Sequence, residues 1–223
     1  MRVEWYGQSA FHLSGGERPV AIDPFADMSA LAAGRGMQFD YPPIVDVAAD
    51  LLLVTHEHAD HNGVEAIAGD PTIVRSTAGT FESPIGEITA IASEHDELAG
   101  TVRGPNTIFV FALDGLRVSH FGDFGQRVLR EEQAAAVGEL DLLIIPVGGG
   151  PTIGAAQAAL IVERLSPRWV VPMHYRTSRI NFLEPVDDFL ERFEHVEQLP
   201  QPAFDTASLP PTDGPLIVVP AAP

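Results

Sequence analysis

Short apolar runs separated by glycine and proline dominate the beginning of the chain, and this pattern predicts β-strands rather than helices. Three of these runs are Val3–Tyr6, Ala10–Leu13 and Val20–Ile22. A fourth run, Leu51–Val54, is continuously apolar, which is typical of a strand that is buried on both faces. We therefore expect residues 1–55 to form mostly β-sheet.

The middle of the chain continues as strands. Apolar and β-branched runs predict strands at Thr72–Arg75, Ile88–Ile91, Thr107–Leu113 and Leu116–Phe121. Asp114 and Gly115 separate the last two runs, and this pair is a strong signal for a two-residue turn. The last two strands are therefore predicted to form a hairpin.

Helices and strands alternate in the last part of the chain. Composition and flanking residues predict helices at Glu131–Val137, Ala155–Leu165 and Val186–Phe193. Apolar runs predict strands at Leu142–Pro146, at Trp169–Pro172 and, within a Pro-rich segment over residues 199–223, at Leu216–Val219. Helices outside layers of β-sheet indicate an α/β sandwich. A chain of 223 residues is long enough for one well-buried core, so we expect a single domain over residues 1–223.

The composition narrows the classes of protein. No apolar run reaches the roughly 20 residues that span a bilayer, and the first residues lack a signal-peptide pattern, so we expect a cytoplasmic protein with no membrane partner. There is no cysteine, which excludes disulfides and thiolate ligands. The formal net charge of −18 argues against a nucleic-acid partner, because binding phosphates needs clustered positive charge. Genomic base composition and salt adaptation are two alternative reasons for this acidity. The sequence is also compatible with a homo-oligomer.

The strongest chemical signal lies directly after the run at Leu51–Val54. The sequence Thr-His-Glu-His-Ala-Asp-His places His56, His58, Asp60 and His61 within six residues. Imidazole and carboxylate together are suited to zinc, manganese or iron. A solvated polar turn is the alternative, but four ligand-type side chains at this density, in a chain with 8 His, favour a metal site.

These four side chains are poorly suited to a single catalytic ion, which takes about four to six ligands and keeps a position open for water. The spacing favours two groups, in which His56 and His58 point to one side while Asp60 and His61 reach another. Two ions about 3.5–4 Å apart are then expected. Each ion needs further ligands from distant segments.

Three other segments offer such ligands, and each follows a predicted strand. The candidates are His95, Asp123 and His174. Glycines near Asp123 permit a close approach of the backbone. The shared position at strand ends favours all three as ligands, because the first cluster lies at a strand end as well.

With these residues the chain resembles the metallo-β-lactamase-fold hydrolases, whose architecture is a four-layer αββα sandwich. The signature H-x-H-x-D-H is intact, and His95, Asp123 and His174 match the later ligand positions of that family. The resemblance covers nearly the whole chain and is greatest to the branch that contains ascorbate-6-phosphate lactonases. Gln8 stands where related sequences often have His, and Gly149-Gly150 where they tend to have Asp-Asn, so the lactonase substrate is not carried over.

The resemblance also implies how the ligands divide between two divalent ions, for which zinc is expected and manganese or iron are alternatives. The first ion would be held by His56, His58 and His95, the second by Asp60, His61 and His174, and Asp123 would bridge them. The implied chemistry is attack by a metal-activated hydroxide on a small-molecule ester, lactone or related bond, with Asp60 as the catalytic residue that orients or relays the proton. Asp23 and His120 are expected to support the ligands from outside.

Other classes of the same fold stay as alternatives. A glyoxalase- or thioesterase-like enzyme and a phosphodiesterase share the ligands, and the non-enzyme alternative is a metal-binding scaffold or degenerate relative. A redox di-iron protein would usually carry Glu at the position of His58. Arg176 and Arg179 follow His174 and form a predicted clamp for an anionic substrate, with pairing to surface carboxylates as the alternative.

Overall fold

Two large mixed β-sheets form the framework of the protein. A computed structural model of the chain describes residues 1–16 and 18–223. The first sheet contains Arg2–Gly7 (β1), Ala10–Ser14 (β2), Val20–Ile22 (β3), Leu51–Val54 (β5), Thr72–Arg75 (β7) and Ala203–Asp205 (β15). Its order is β15-β1-β2-β3-β5-β7, in which β5 pairs in parallel with β3 and β7.

The second sheet has eight strands. They are Gly79–Ser83 (β8), Gly86–Glu94 (β9), Pro105–Leu113 (β10), Leu116–His120 (β11), Leu142–Pro146 (β12), Trp169–Met173 (β13), Val196–Gln198 (β14) and Leu216–Val219 (β16), in the order β14-β16-β13-β12-β11-β10-β9-β8. A two-stranded sheet pairs Val47–Ala48 (β4) with Ile67–Ala68 (β6). The predicted hairpin is confirmed, since Leu113 pairs with Leu116 and both turn residues have positive φ.

The hydrophobic core lies between the two large sheets. Trp5, Phe11 and Leu53 of the first sheet share one buried cluster with Phe109 and Phe111 of the second. Because side chains alternate along a strand, Leu52 and Val54 point the other way, into a second cluster with Phe25 and Tyr41. Strand β5 is therefore buried on both faces, as its continuous apolar run predicts.

Helices cover the outer faces of this sandwich. They are Ser29–Gly34 (α1), Glu131–Val137 (α2), Ala155–Leu165 (α3) and Asp187–Leu190 (α4), with short 3-10 helices at Val64–Ala66 and Thr206–Ser208. Buried residues of α2, α3 and α4 belong to the same core cluster as the eight-stranded sheet. The architecture confirms the predicted α/β sandwich. Among the described residues, no helix is long and apolar enough to cross a membrane.

The helix predicted at Val186–Phe193 is wrong in its length. The α-helix ends at Leu190, and the N–H groups of Arg192 and Phe193 bind carbonyls three residues back rather than four. The chain tightens into turns at this point because it must reach β14, which begins at Val196.

Candidate metal centre

Four segments that each follow a strand bring the predicted ligands to one edge of the sandwich. The loop after β5 carries His56, His58, Asp60 and His61, while His95 follows β9, Asp123 follows β11 and His174 follows β13. All seven side chains meet there, although the segments are far apart in the sequence. Strand ends hold them because the strands themselves are fixed by the core.

The first group of ligand atoms comes from three imidazoles. One ring nitrogen each of His56, His58 and His95 lies within 4.8 Å of the other two. His56 Nε2 is 3.1 Å from His58 Nδ1, and the ring centroids of His56 and His95 are 4.8 Å apart. Such a triangle of nitrogens matches the three protein ligands of an open catalytic site.

The second group combines a carboxylate with two imidazoles. Asp60, His61 and His174 each offer one atom within 4.8 Å of the others. His61 and His174 are buried, whereas Asp60 is only half-buried, which leaves its carboxylate accessible from solvent. These two groups correspond to the predicted division of the H-x-H-x-D-H sequence, and a third set of close ligand atoms, from His56, His61 and Asp123, connects them.

Asp123 lies between the two groups. Its Oδ2 is 3.2 Å from His95 Nε2 and 3.3 Å from His174 Nε2, and its Oδ1 is 3.3 Å from His61 Nε2. One carboxylate therefore faces ligands of both groups, which is the position of a bridging ligand. Asn106 holds it there, since Asn106 Oδ1 accepts the Asp123 backbone N–H at 3.0 Å.

The backbone next to Asp123 requires glycine. Gly122 has φ +55°, and a Cβ at this position would lie 2.4 Å from Asn106 Oδ1 and 2.6 Å from Thr55 Cβ. Both the left-handed backbone and the close approach exclude a larger residue. This glycine lets the strand end turn so that Asp123 enters the centre.

Outer contacts fix which nitrogen of three imidazoles faces the centre. Asp23 Oδ2 lies 2.9 Å from His61 Nδ1, Thr55 Oγ1 lies 3.1 Å from His56 Nδ1, and the Pro151 carbonyl lies 3.1 Å from His95 Nδ1. When Nδ1 donates to such a group, Nε2 keeps its lone pair for a metal ion. The predicted supporting role of Asp23 thus has a specific contact, and Thr55 and Pro151 are supporting residues that the sequence alone did not single out.

His120 takes a different position from the ligands. It is fully buried, its Nδ1 accepts the Gly122 backbone N–H at 3.1 Å, and its Nε2 lies 3.0 Å from the Ser9 carbonyl. Ser9 Oγ is in turn 3.4 Å from Asp123 Oδ1. His120 therefore contacts the centre through Ser9 rather than directly.

Burial and neighbouring charges shift the pKa values of two imidazoles, His56 and His61, in opposite directions. Burial, and then the neighbouring His61, lower the pKa of His56 well below its ordinary value. Burial also lowers the pKa of His61, but Asp123, Asp60 and Asp23 outweigh it and raise that pKa well above the usual range. The centre thus presents a neutral imidazole at His56 and favours a positive charge beside His61.

The residues present fit a pair of divalent cations. His61 Nε2 is buried and faces the centre; Asp123 Oδ1 lies 3.3 Å away, but the geometry is not that of a hydrogen bond, and no other described residue supplies one. The donor set consists of imidazole and carboxylate groups without any thiolate, which suits zinc, manganese or iron. A cation at His61 Nε2 would supply both the missing partner and the positive charge that the three carboxylates favour.

A cavity of about 720 Å³ opens over this centre. His58, Asp60, His95, Asp123 and His174 form its floor. Its walls carry Met28, Leu31, Ala32, Met37, Phe39, Val102 and Phe182 together with Arg35 and Arg103. A cavity of this volume holds a small molecule, and its apolar walls and polar floor are the usual composition of such a site.

The predicted anion clamp at Arg176 and Arg179 does not reach this cavity. Arg179 Nε donates to the Pro223 carbonyl at 2.9 Å, and Arg176 is exposed and lies outside the lining. The physical reason is the path of the chain after His174, whose φ of 51° turns the backbone, so that the Arg176 N–H binds the Glu184 carbonyl. Arg35 and Arg103, which the sequence did not indicate, stand at the cavity instead.

Comparison with known proteins places this centre in a family. Residues 2–174 match the model of the β-lactamase superfamily domain. A metal-dependent hydrolase of the UPF0173 family from Thermococcus onnurineus is 31% identical over 204 residues, which cover 79% of this chain and 85% of the relative. Its counterpart from Pyrococcus furiosus is 29% identical over 201 residues, with the same coverage of 79% and 85%.

A solved structure gives the same result for the fold. A crystal structure from Thermotoga maritima, of a proposed Zn-dependent hydrolase of the metallo-β-lactamase superfamily, superposes with a TM-score of 0.77 at 28% identity and covers 98% of both chains. The match extends beyond the metal-binding motif to the complete sandwich. The chain therefore has the metallo-β-lactamase fold and belongs to the UPF0173 family of metal-dependent hydrolases.

Proposed function

We propose that this hydrolase uses two divalent metal ions to cleave an ester, a lactone or a related carbonyl bond in a small molecule. The observation that carries the proposal is the position of Asp123 between two groups of three ligands. One group alone would bind one ion, but a buried carboxylate that faces both groups is suited to a pair.

The distances support one division of the ligands between the two ions. His56, His58 and His95 would hold one ion, Asp60, His61 and His174 the other, and Asp123 both. Zinc is the leading choice, since it suits this donor set and the Thermotoga maritima relative is described as a Zn-dependent hydrolase. Bound there, the ions supply an activated water at neutral pH and stabilise the negative charge that develops on the substrate.

We assign the handling of the proton to Asp60. It is half-buried on the floor of the cavity, and its Oδ2 accepts a hydrogen bond from Gln8 Nε2 at 3.3 Å. Gln8 is fully buried and comes from the turn between β1 and β2, so it holds the Asp60 side chain in one orientation. A carboxylate held this way can orient a water molecule and accept or return its proton.

Lactones are included because they are cyclic esters, which the same chemistry would open; the substrate of the lactonase branch itself is not carried over, because Gln8 and Gly149-Gly150 differ from that pattern. Phosphodiesters and thioesters are the alternatives that the same ligands support. A nucleic-acid substrate is not part of the proposal, because the formal net charge is −18.

The test combines metal analysis with an assay panel. Protein prepared without chelator is analysed for metal and assayed with simple aryl esters, lactones, thioesters and phosphodiesters. We expect turnover of esters or lactones that is lost in Asp123→Ala and retained in His195→Ala. His195 is the matched control, since it pairs with the exposed Asp213 away from the cavity. Turnover of phosphodiesters alone would replace the proposal by the phosphodiesterase alternative.

A further inference from the structure

We propose that Arg35 and Arg103 bind an anionic group of the substrate, a carboxylate or a phosphate, at the wall of the cavity while the scissile bond lies at the metal centre. This inference rests on the proposed function and adds a substrate class to it. The substrate would be a small molecule with one anionic end, an apolar middle and a hydrolysable bond.

The two arginines approach the same cavity from different parts of the fold. Arg35 follows directly after α1, and Arg103 lies in the loop between β9 and β10. Both contribute to the lining together with the metal-ligand candidates of the floor. Two guanidinium groups on one small cavity present several N–H donors to an anion.

Most other arginines of this acidic chain already have partners. Arg2, Arg18, Arg75, Arg127, Arg130 and Arg164 form ion pairs, Arg117, Arg179 and Arg192 donate to carbonyl groups, and Arg168 lies over the Trp169 ring. Within residues 1–16 and 18–223, the guanidinium groups of Arg35, Arg103 and Arg176 have no such partner. Two of these three line the cavity. In a chain with 31 acidic residues, this leaves positive charge available at the substrate site.

The carboxylates of the cavity do not neutralise these arginines. Glu57 lines the cavity, but it is bound by Arg75, whose guanidinium lies 2.6 Å from Glu57 Oε2. Asp60 and Asp123 are on the floor and face the ligand groups of the metal centre. An incoming anion thus meets the two free guanidinium groups.

Asp96 holds the loop that carries Arg103. Its carboxylate accepts backbone N–H groups from Leu98, Gly100, Val102 and Arg103 at 2.7 to 3.0 Å. The Arg103 backbone is therefore fixed relative to Asp96, which directly follows His95. A pre-ordered loop lowers the entropy that is lost when a ligand is bound.

The apolar residues that line the cavity indicate the chemistry of the rest of the substrate. Met28, Leu31, Met37, Phe39, Val102 and Phe182 are apolar. They favour an alkyl or aryl body and disfavour a sugar or another polar chain. The combination of apolar walls with two arginines points to an amphiphilic acid.

The test compares charged and neutral substrates of equal length. Nitrophenyl half-esters of dicarboxylic acids, from succinic to suberic acid, keep a free carboxylate at graded distances from the ester. The nitrophenyl esters of the corresponding monocarboxylic acids are their neutral counterparts. Metal-loaded wild-type protein should prefer the charged member at one or more lengths. Arg35→Ala and Arg103→Ala should each raise its KM by about 3-fold to 30-fold, because each removes a charge-assisted hydrogen bond from a side chain that is exposed in the free protein.

Controls separate this inference from the proposed function. Arg176→Ala removes an exposed arginine outside the cavity and should leave the preference for the charged ester unchanged. With the neutral esters, all three variants should keep the KM of the wild-type protein. Affinity of the metal-loaded proteins for phenylalkanoic acids and for their neutral amides, measured by calorimetry, gives a second reading without turnover. If the wild-type protein cleaves no ester but Arg35→Ala and Arg103→Ala still weaken binding of the acids, the ester proposal fails and the anion site stands. If esters are cleaved and both variants stay within twofold of Arg176→Ala in KM and affinity, the anion site is refuted.

Discussion

The carboxylate of Asp23 lies 2.9 Å from Nδ1 of His61, and both side chains are completely buried. The same carboxylate accepts the backbone N–H and the hydroxyl of Thr55, each at 2.7 Å. Thr55 Oγ1 also contacts His56 Nδ1. Asp23 therefore orients one imidazole of the second ligand group directly and one of the first through Thr55.

We expect Asp23→Asn to lower metal affinity by about 10-fold to 100-fold, the usual effect of losing such an outer contact. An amide NH₂ next to His61 Nδ1 would donate to that nitrogen and drive the ring proton to Nε2, where the metal ion should bind. Metal titration of the chelator-treated protein measures the effect. Thr55→Val is the comparison, because it removes the hydroxyl that contacts both His56 and Asp23 but leaves the Asp23–His61 contact in place, so it should weaken binding chiefly at the ligand group of His56. An unchanged affinity in Asp23→Asn would show that the imidazole is oriented by other contacts.

Asp123→Ala should cost far more activity than His120→Ala. The first substitution removes the carboxylate that faces both ligand groups, so we expect a loss of more than about 100-fold together with a loss of bound metal. The second removes a side chain that hydrogen-bonds the backbone of Ser9 and Gly122 but none of the candidate ligand side chains. Elemental analysis and turnover of the same substrate compare the two variants. Equal losses, with equal metal content, would contradict the bridging position of Asp123.

The sequence could predict most of this centre because its ligands lie at the ends of strands with strong patterns. The continuous apolar run of β5 fixes where the loop of His56 and His61 begins, and the boundaries of β5, β12 and α3 agree with their predictions. Asp123 and His174 follow strands whose ends differ from the prediction by one residue. The fold follows from the same buried runs.

Weakly patterned segments could not be predicted in this way. The edge strands β8 and β14 contain no buried residue, so their apolar pattern is poor. They form by pairing with β9 and β16, whose own patterns are stronger. Helix α1 has no side-chain cap and follows a Pro-containing loop. Arg35 follows this helix and Arg103 lies in the loop between β9 and β10, so no sequence pattern marks either residue as part of the cavity. The prediction of Arg176 and Arg179 rests on their adjacency to His174. Sequence adjacency to His174 says nothing about the direction of a side chain.

Protein prepared without chelator should contain two metal ions per chain, and removing them should lower its stability. Without cations, Asp23, Asp60 and Asp123 surround His61 in a buried space, and binding of the ions to the folded state alone stabilises it by mass action. Elemental analysis and thermal unfolding before and after chelation test both statements. At about 100-fold excess over the dissociation constant, one ion should contribute about 2.7 kcal/mol. One equivalent or none, with no gain on adding metal, would rule out the two-ion centre.

His120 should make the chelator-treated protein less stable in mild acid. Both ring nitrogens already have partners in the folded state, and burial lowers the pKa of His120. In the unfolded state this imidazole takes up a proton below about pH 6.5, whereas in the folded state its lowered pKa makes it take up a proton less readily. Unfolding is therefore increasingly favoured as the pH falls below that value. His120→Asn keeps an acceptor for the Gly122 N–H but cannot titrate. The variant should be less stable than the wild type at every pH. Between about pH 7.5 and about pH 5.5, however, its free energy of unfolding should fall by less than that of the wild type. Chemical denaturation at the two pH values gives both differences. Parallel losses in the two proteins would mean that His120 is protonated as readily in the folded state as in the unfolded one.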